Sequence, residues 1–335
     1  MMWRTCWALL SGLIGGFILG YLPHYLESRQ RFVEPSGVGA DLVFRVQRIF
    51  SLQSKFQKID VLRSDFFGHI LTIDDDLMLT ERDEFIYHEM IAHVPAAYVP
   101  NARDALIIGG GDGGTAKQLL RRPSLVNLTV VELDEEVVHV CRRFFPRLAS
   151  SFDDPRVTLL FADGASWVSS AESRTFDLII VDSTDFGAAQ PLFEERFHRH
   201  LRRILAPGGM LVINLTSLPW QLTSVQRSVA RQRQIFRHVR VFQIYQPSYT
   251  SGHYCFAICS NDLDAQDLGA IDWAAATRGL EMQYYSREVH QGAFALPEFA
   301  KKALGRREQR RRVRTPGVWK CGMGGTGGWE RLVKS

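Results

Sequence analysis

Short apolar runs alternate with helical periodicity over most of this chain. Ala105–Ile108, Leu128–Val131, Val157–Phe161, Phe176–Val181, Met210–Asn214, Val239–Ile244 and Tyr254–Ile258 are mostly apolar stretches of strand length. Helical segments separate most of them. Buried strands alternating with helices predict an α/β fold built on a parallel, doubly wound sheet. Upstream the period changes. Phe56–Leu62 and His69–Ile73 alternate apolar and polar, with a turn at Asp65–Gly68, which predicts a small β domain over residues 41–80. From Arg82 to His93 the spacing of Phe85, Ile86, Met90 and His93 is helical. It opens the larger domain, residues 81–304.

The N-terminus has a third pattern. Thr5–Leu26 holds no Asp, Glu, Lys or Arg. As a helix rising about 1.5 Å per residue it would be about 33 Å long, enough to cross a bilayer core. Gly12, Gly16 and Gly20 fall on one face, a spacing that lets membrane helices approach closely. Within residues 1–30, the stretch 5–26 is therefore expected to anchor the chain, with a packed arm or a misplaced start as the competing readings. Arg29, Arg31, Arg45 and Arg48 follow the apolar run, which puts the catalytic body on the cytoplasmic side of the inner membrane face.

Composition narrows the class. The 335 residues are 46% hydrophobic and 23% charged, as in an ordinary globular protein. Five cysteines without a C-x-x-C pair indicate neither a disulfide framework nor a zinc site. The net charge of +4 is produced by one segment, Lys301–Arg314, with eight basic side chains and a single acid. The body is mildly acidic and has no electrostatic footprint for nucleic acid. Residues 305–335 read as a basic, glycine-rich, disordered tail.

Ligands of doubly wound sheets bind at the carboxyl ends of the strands. Acids follow four of the predicted strands: Asp112 inside Gly109-Gly-Gly-Asp-Gly-Gly114, then Glu132, Asp163, and the pair Asp182 and Asp185. The glycine loop with Glu132 18 residues beyond Gly114 fits a nucleotide site in which the acid accepts two ribose hydroxyls. Asp112 argues against a dinucleotide, whose pyrophosphate would sit against this loop. It suits a ligand that is cationic there, such as a sulfonium nucleoside with an amino tail. Asp163 is placed to accept from an adenine amino group, and Gly164 leaves room for the ring. Asp182 and Asp185 suit a diamine: an alkylammonium must lose a proton before its nitrogen can attack carbon, so a base is needed within hydrogen-bond reach. His88-Glu-Met-Ile-Ala-His93 is one residue too long for the H-E-x-x-H zinc motif, and no metal site is expected.

Taken together these residues resemble the spermidine synthase (polyamine aminopropyltransferase) family. The resemblance runs from about residue 42 to 304. It is carried by Ser54-Lys-Phe-Gln57, Thr80-Glu-Arg-Asp-Glu-Phe-Ile-Tyr-His-Glu-Met90, the glycine loop, Val131-Glu-Leu-Asp134, Asp163-Gly164, Asp182-Ser-Thr-Asp185, Pro247-Ser-Tyr249-Thr-Ser-Gly252 and Ala293–Pro297. It implies a methyltransferase-like Rossmann domain behind the small β domain. It also implies aminopropyl transfer from decarboxylated S-adenosylmethionine, a co-substrate, to putrescine, giving spermidine and methylthioadenosine with no cofactor. Gln57, Glu132, Asp163 and Gly164 would hold the nucleoside, and Asp112 the aminopropyl ammonium. Tyr87, His88, Asp185 and Tyr249 would line the polyamine channel, with Asp182 as general base. A homodimer or homotetramer is expected. Phe186 and Ala188 depart from the family's prolines, Asp75 from a turn glycine and Met78 from a glutamine. Two alternatives remain: an S-adenosylmethionine-dependent amine N-methyltransferase, and a non-catalytic polyamine-binding protein.

Overall fold

A computed structural model describes residues 30–34, 39–171, 176–184 and 190–305. The apolar segment 5–26, the tail from residue 306, and Asp185 with the Phe186–Ala188 departures lie outside the described residues.

The first layer is a five-stranded antiparallel meander, β1 (Gln30–Glu34), β2 (Leu42–Gln53), β3 (Lys58–Ser64), β4 (Gly68–Ile73) and β5 (Asp76–Thr80), paired in chain order. The sheet thus begins at Gln30, earlier than the alternation alone indicated, because β1 is a short strand that completes its pattern only against β2. Phe32, Phe44, Val46, Leu62, Ile70 and Leu77 bury one face as a small separate core. Ile59, Val61, Leu71, Ile73 and Leu79 point the other way into the main core. Asp74 and Asp75 form the β4–β5 turn with φ of 51° and 67°. Short polar side chains tolerate this left-handed geometry best after glycine.

The second layer is a seven-stranded sheet. It contains β6 (Asp104–Gly109), β7 (Asn127–Glu132), β8 (Val157–Phe161), β9 (Phe176–Asp182), β10 (Leu205–Asn214), β11 (His238–Tyr245) and β12 (His253–Ser260), in the order β11-β12-β10-β9-β6-β7-β8. Strands β8, β7, β6, β9 and β10 are mutually parallel, as expected. One strand departs from this direction: β12 runs antiparallel to both β10 and β11. Only the short connection Gln246–Gly252 joins β11 to β12, and a parallel return needs a crossover of a dozen or more residues.

Helix α1 spans Glu84–Ala96, starting and ending a few residues beyond the predicted Arg82–His93. It is buried continuously from Ile86 to Ala96, so apolar contact on every side carries it through Pro95 in its last turn. With α2 (Gly114–Leu120) and α3 (Glu135–Phe144) it covers one face of the sheet. Helices α4 (Pro146–Ala149), α5 (Gly164–Ser170), α6 (Glu195–Ile204) and α7 (Leu218–Gln232) follow in chain order, and α5, α6 and α7 cover the other face. The chain then adds α8 (Trp273–Thr277), α9 (Arg287–Ala293) and α10 (Glu298–Gly305). The order in which strands are added reverses at β6, with β7 on one side and β9 on the other. That is where a doubly wound sheet opens a crevice.

Candidate active site

The crevice is a cavity of about 510 Å³ at the carboxyl ends of β6, β7 and β9, roofed by the small β domain. Gln57, Tyr87, His88, Asp112, Glu132, Asp163, Gly164, Asp182 and Tyr249 all line it, so nine of the ten predicted site residues converge. The tenth, Asp185, lies outside the described residues.

Close backbone approach builds the floor. Gly109 pairs with Asp182 across β6 and β9. A Cβ on Gly109 would come within 2.2 Å of the Asp182 carbonyl oxygen, and its φ is 84°. The N–H of Gly110 donates to that same carbonyl at 2.8 Å. Glycine is required here on both counts.

The Asp182 side chain is held by two hydroxyls. Tyr87 donates to Oδ1 at 2.7 Å and Thr115 to Oδ2 at 2.6 Å. Neither contact is a helix cap, the alternative role for an acid at a strand end. Burial, and then the charge of Asp112, push the Asp182 carboxyl above the usual range. A carboxylate displaced in this direction is a stronger base for an amine proton.

Asp112 behaves oppositely. Burial opposes its charge, but His88 and the Gly114 N–H outweigh burial and hold it below the usual range. His88 Nε2 lies 3.3 Å from Asp112 Oδ1, and Gly114 N–H donates to the same oxygen at 2.6 Å. The imidazole's Nδ1 contacts Glu84 at 2.6 Å, one helical turn back. Burial alone would lower the His88 pKa, yet these two carboxylates raise it well above the usual value. His88 is thus a buried cation that keeps Asp112 ionised. The extra residue that spoils the zinc motif separates it from His93, which is buried against Gln118 and Arg122 and pushed down to about 3.

Toward β7, Glu132 is buried and its pKa is raised to about 7, chiefly by that burial, although the Asp134 N–H donates to it at 2.9 Å. A Cβ on Gly111 would meet its Oε2 at 2.8 Å, so a glycine lets this acid reach the loop. Ser54 donates to Asp134 at 2.6 Å and thereby ties the Gln57 turn of the small domain to this end of the sheet. Asp163 caps α5 by accepting from Ser166 N–H at 2.6 Å while still lining the cavity. The tight contact at Gly164 is with protein: a Cβ there would meet Ile108 at 2.6 Å.

At the opposite end the wall is aromatic. The Tyr87 ring lies 6.3 Å from Tyr249 and 5.8 Å from Tyr254, and those two are 5.2 Å apart. Tyr249 donates to the Met78 carbonyl at 3.0 Å. Asp83, in the signature run, accepts from Ser248 N–H at 2.9 Å and from Thr80 at 2.6 Å, which fixes the loop that carries Tyr249 against the start of α1. Glu89 accepts from the N–H groups of Gln283, Tyr284 and Tyr285 and anchors the other side of α1. Sequence reasoning missed Thr115, Tyr254 and Glu34. Thr115 directly follows the glycine loop and was within reach of that motif. Glu34, whose side chain accepts from Leu77 N–H at 2.8 Å, sits on the unpredicted β1.

The model of the spermine/spermidine synthase domain matches residues 84–268, and that of the spermidine synthase tetramerisation domain matches residues 40–81. This chain belongs to the spermine/spermidine synthase family. A polyamine aminopropyltransferase of Clostridium perfringens is 41% identical over 77% of this chain and 91% of its own length. One from Alkaliphilus oremlandii is 40% identical over 78% of this chain and 93% of its own. A spermidine synthase solved in complex with the transition state analogue AdoDATO superposes with a TM-score of 0.79 at 33% identity, covering 82% of this chain and 95% of that one. The spermidine synthase of Thermotoga maritima gives 0.78 at the same identity. The protein is therefore an enzyme of the polyamine aminopropyltransferase class, and its N-terminal β sheet and mostly parallel α/β core are the family's architecture.

Proposed function

We propose that the protein transfers the aminopropyl group of decarboxylated S-adenosylmethionine to putrescine, giving spermidine and methylthioadenosine. The observation that carries this reading is the opposition of two half-buried carboxylates on one cavity, Asp112 held low and Asp182 held high. Asp112 stays ionised and would take the aminopropyl ammonium. Asp182 would accept the proton of the attacking amine, whose freed lone pair forms the new N–C bond. The C–S bond breaks with its electrons moving to sulfur, so the sulfonium leaves as a neutral thioether. Glu132, Gln57, Asp163 and Gly164 would hold the nucleoside. Tyr87 and Tyr249 would flank the amine with electron-rich ring faces, which favour ammonium and alkyl groups. His88 would act through Asp112, and Glu34, which lines the same cavity, would face the acceptor's second nitrogen. Asp185 keeps its proposed place in the polyamine channel on the strength of its motif.

A cytoplasmic, oligomeric enzyme is proposed. Val33 and Val43 pair across β1 and β2 and are 45% and 52% exposed, an apolar spot suited to a second copy. The N-terminal anchor is a separate proposal, tested by membrane fractionation of the full chain beside one starting at Arg31. Among the described residues no helix is long and apolar enough to cross a membrane.

Asp112→Ala tests the donor assignment. It is expected to weaken the decarboxylated donor about 10- to 150-fold while leaving methylthioadenosine nearly unchanged, because only the donor carries the ammonium. Equal losses for both ligands by calorimetry would refute it.

A further inference from the structure

A second cavity of about 190 Å³ lies between α6 and α7, behind the acceptor end of the first. Val181, Ile213, Leu215, Phe193 and Val225 supply its apolar walls. Its charged lining is Arg227 and Arg231 from α7, and no Asp or Glu lines it among the described residues. Neither arginine pairs with a carboxylate among those residues, and Arg231 donates only to the Phe193 carbonyl. His198 on α6 reaches the same space. It is 2% exposed, and its Nδ1 meets no hydrogen-bond partner. Burial and then Arg231 lower its pKa to about 3, so it faces the cavity as a neutral imidazole.

These features are opposite in sign to the active site. The first cavity collects acids and suits cations, whereas the second offers two guanidinium groups that meet no carboxylate among the described residues, a neutral imidazole and an apolar floor. A polyamine would be repelled here. An anion with a compact apolar body would pair with the arginines and rest against the apolar floor and the His198 ring.

We propose that the α6–α7 cavity, through Arg227, Arg231 and His198, binds a small organic anion, a carboxylate or phosphate on an apolar body. Ser183, Leu192, Asn214, Thr216 and Gln221 line both cavities. Gln221 also sits at a non-helical kink in α7, with φ −126° and ψ 36°. The occupant therefore lies against the partition of the acceptor site without entering it. The site does not depend on the transferase reading, because a chamber that binds an anion does so whether or not spermidine is made.

Benzoate is a suitable probe, with benzyl alcohol as its uncharged counterpart, titrated into the full-length protein by calorimetry. Benzoate is expected to bind saturably at one site and more tightly than benzyl alcohol. Arg227→Gln and Arg231→Gln should each weaken it about tenfold or more. Arg227 is exposed at the mouth of the cavity, so its variant tests the site even if Arg231→Gln folds poorly. Asp182→Asn should leave benzoate affinity within about twofold, which separates this chamber from the active site. The absence of saturable binding, with water alone in the chamber, would overturn the proposal. So would equal affinity for the two probes, or affinity unchanged in Arg227→Gln.

Discussion

At the scale of single residues, the site works by driving apart the pKa values of groups that are chemically alike. Asp112, Glu132 and Asp182 are carboxyls lining one cavity, Glu132 buried and the two aspartates half-buried, and desolvation raises each of them. His88, in direct contact with Asp112, reverses the effect there but only offsets part of it at Asp182, and Glu84 secures that cation from its other side. Glu132 has backbone N–H donors alone and is left near 7. Ribose hydroxyls donate to a carboxylate, so they bind its ionised form and pull its pKa down. Methylthioadenosine affinity should therefore rise about tenfold between pH 6 and pH 8, with proton release on binding near neutrality. Calorimetry in two buffers of different ionisation heat measures this, and Glu132→Gln should abolish the pH dependence. The sign for stability is the reverse. A carboxyl raised from its ordinary value to about 7 stabilises the unliganded fold below the ordinary value, and that contribution is lost as pH rises through 7. These acids were legible because each directly follows a buried apolar run. Thr115 lies next to the glycine loop, but its pairing with Asp182 was not legible and neither was Tyr254, because which hydroxyl meets which carboxylate or carbonyl is decided by packing between distant segments.

Among the elements, α1 organises the acceptor side. It is buried almost throughout, and its start and its middle are tied by acids whose partners lie far away in sequence. Asp83 binds the Ser248 loop, and Glu89 binds Gln283–Tyr285. Asp83→Ala would leave the Ser248 N–H and the Thr80 hydroxyl unpaired in a buried setting, at about 1–3 kcal/mol for a stranded donor. It would also release the loop carrying Tyr249. The expected result is a lower melting temperature and a raised KM for the amine with the donor KM little changed. Steady-state kinetics with each substrate varied in turn reads that split. The T-E-R-D-E-F run identified this helix in the sequence, but not why its acids matter, since their partners are about 165 and 195 residues downstream. The β12 strand teaches a related lesson. Its apolar residues announced burial, yet direction depends on the length of the preceding connection and is invisible to hydrophobic pattern.

For the whole molecule, a Rossmann-type sheet supplies the ligand edge and the small β domain closes over it. Gln57 and Glu34 arrive from that first layer, so neither layer forms the site alone. The architecture was readable from the alternation of strands and helices. The start of the first layer was not, because β1 has five residues and an exposed face. That face gives a prediction about assembly. A Val33→Glu, Val43→Glu double variant should move the protein to a smaller oligomer in analytical ultracentrifugation while keeping its fold by circular dichroism, because both side chains are solvent-facing in the single chain. Unchanged mass would place the interface elsewhere. The central claim, aminopropyl transfer with Asp182 as base, is tested most directly by one product assay. Wild-type protein and Asp182→Asn are incubated with putrescine and either decarboxylated S-adenosylmethionine or S-adenosylmethionine, and all products are quantified. The expected result is one spermidine per methylthioadenosine from the decarboxylated donor alone, with Asp182→Asn slower by about 10²–10⁴ and binding methylthioadenosine normally. S-adenosylhomocysteine with a methylated amine, or an Asp182→Asn rate above half that of wild type, would contradict it.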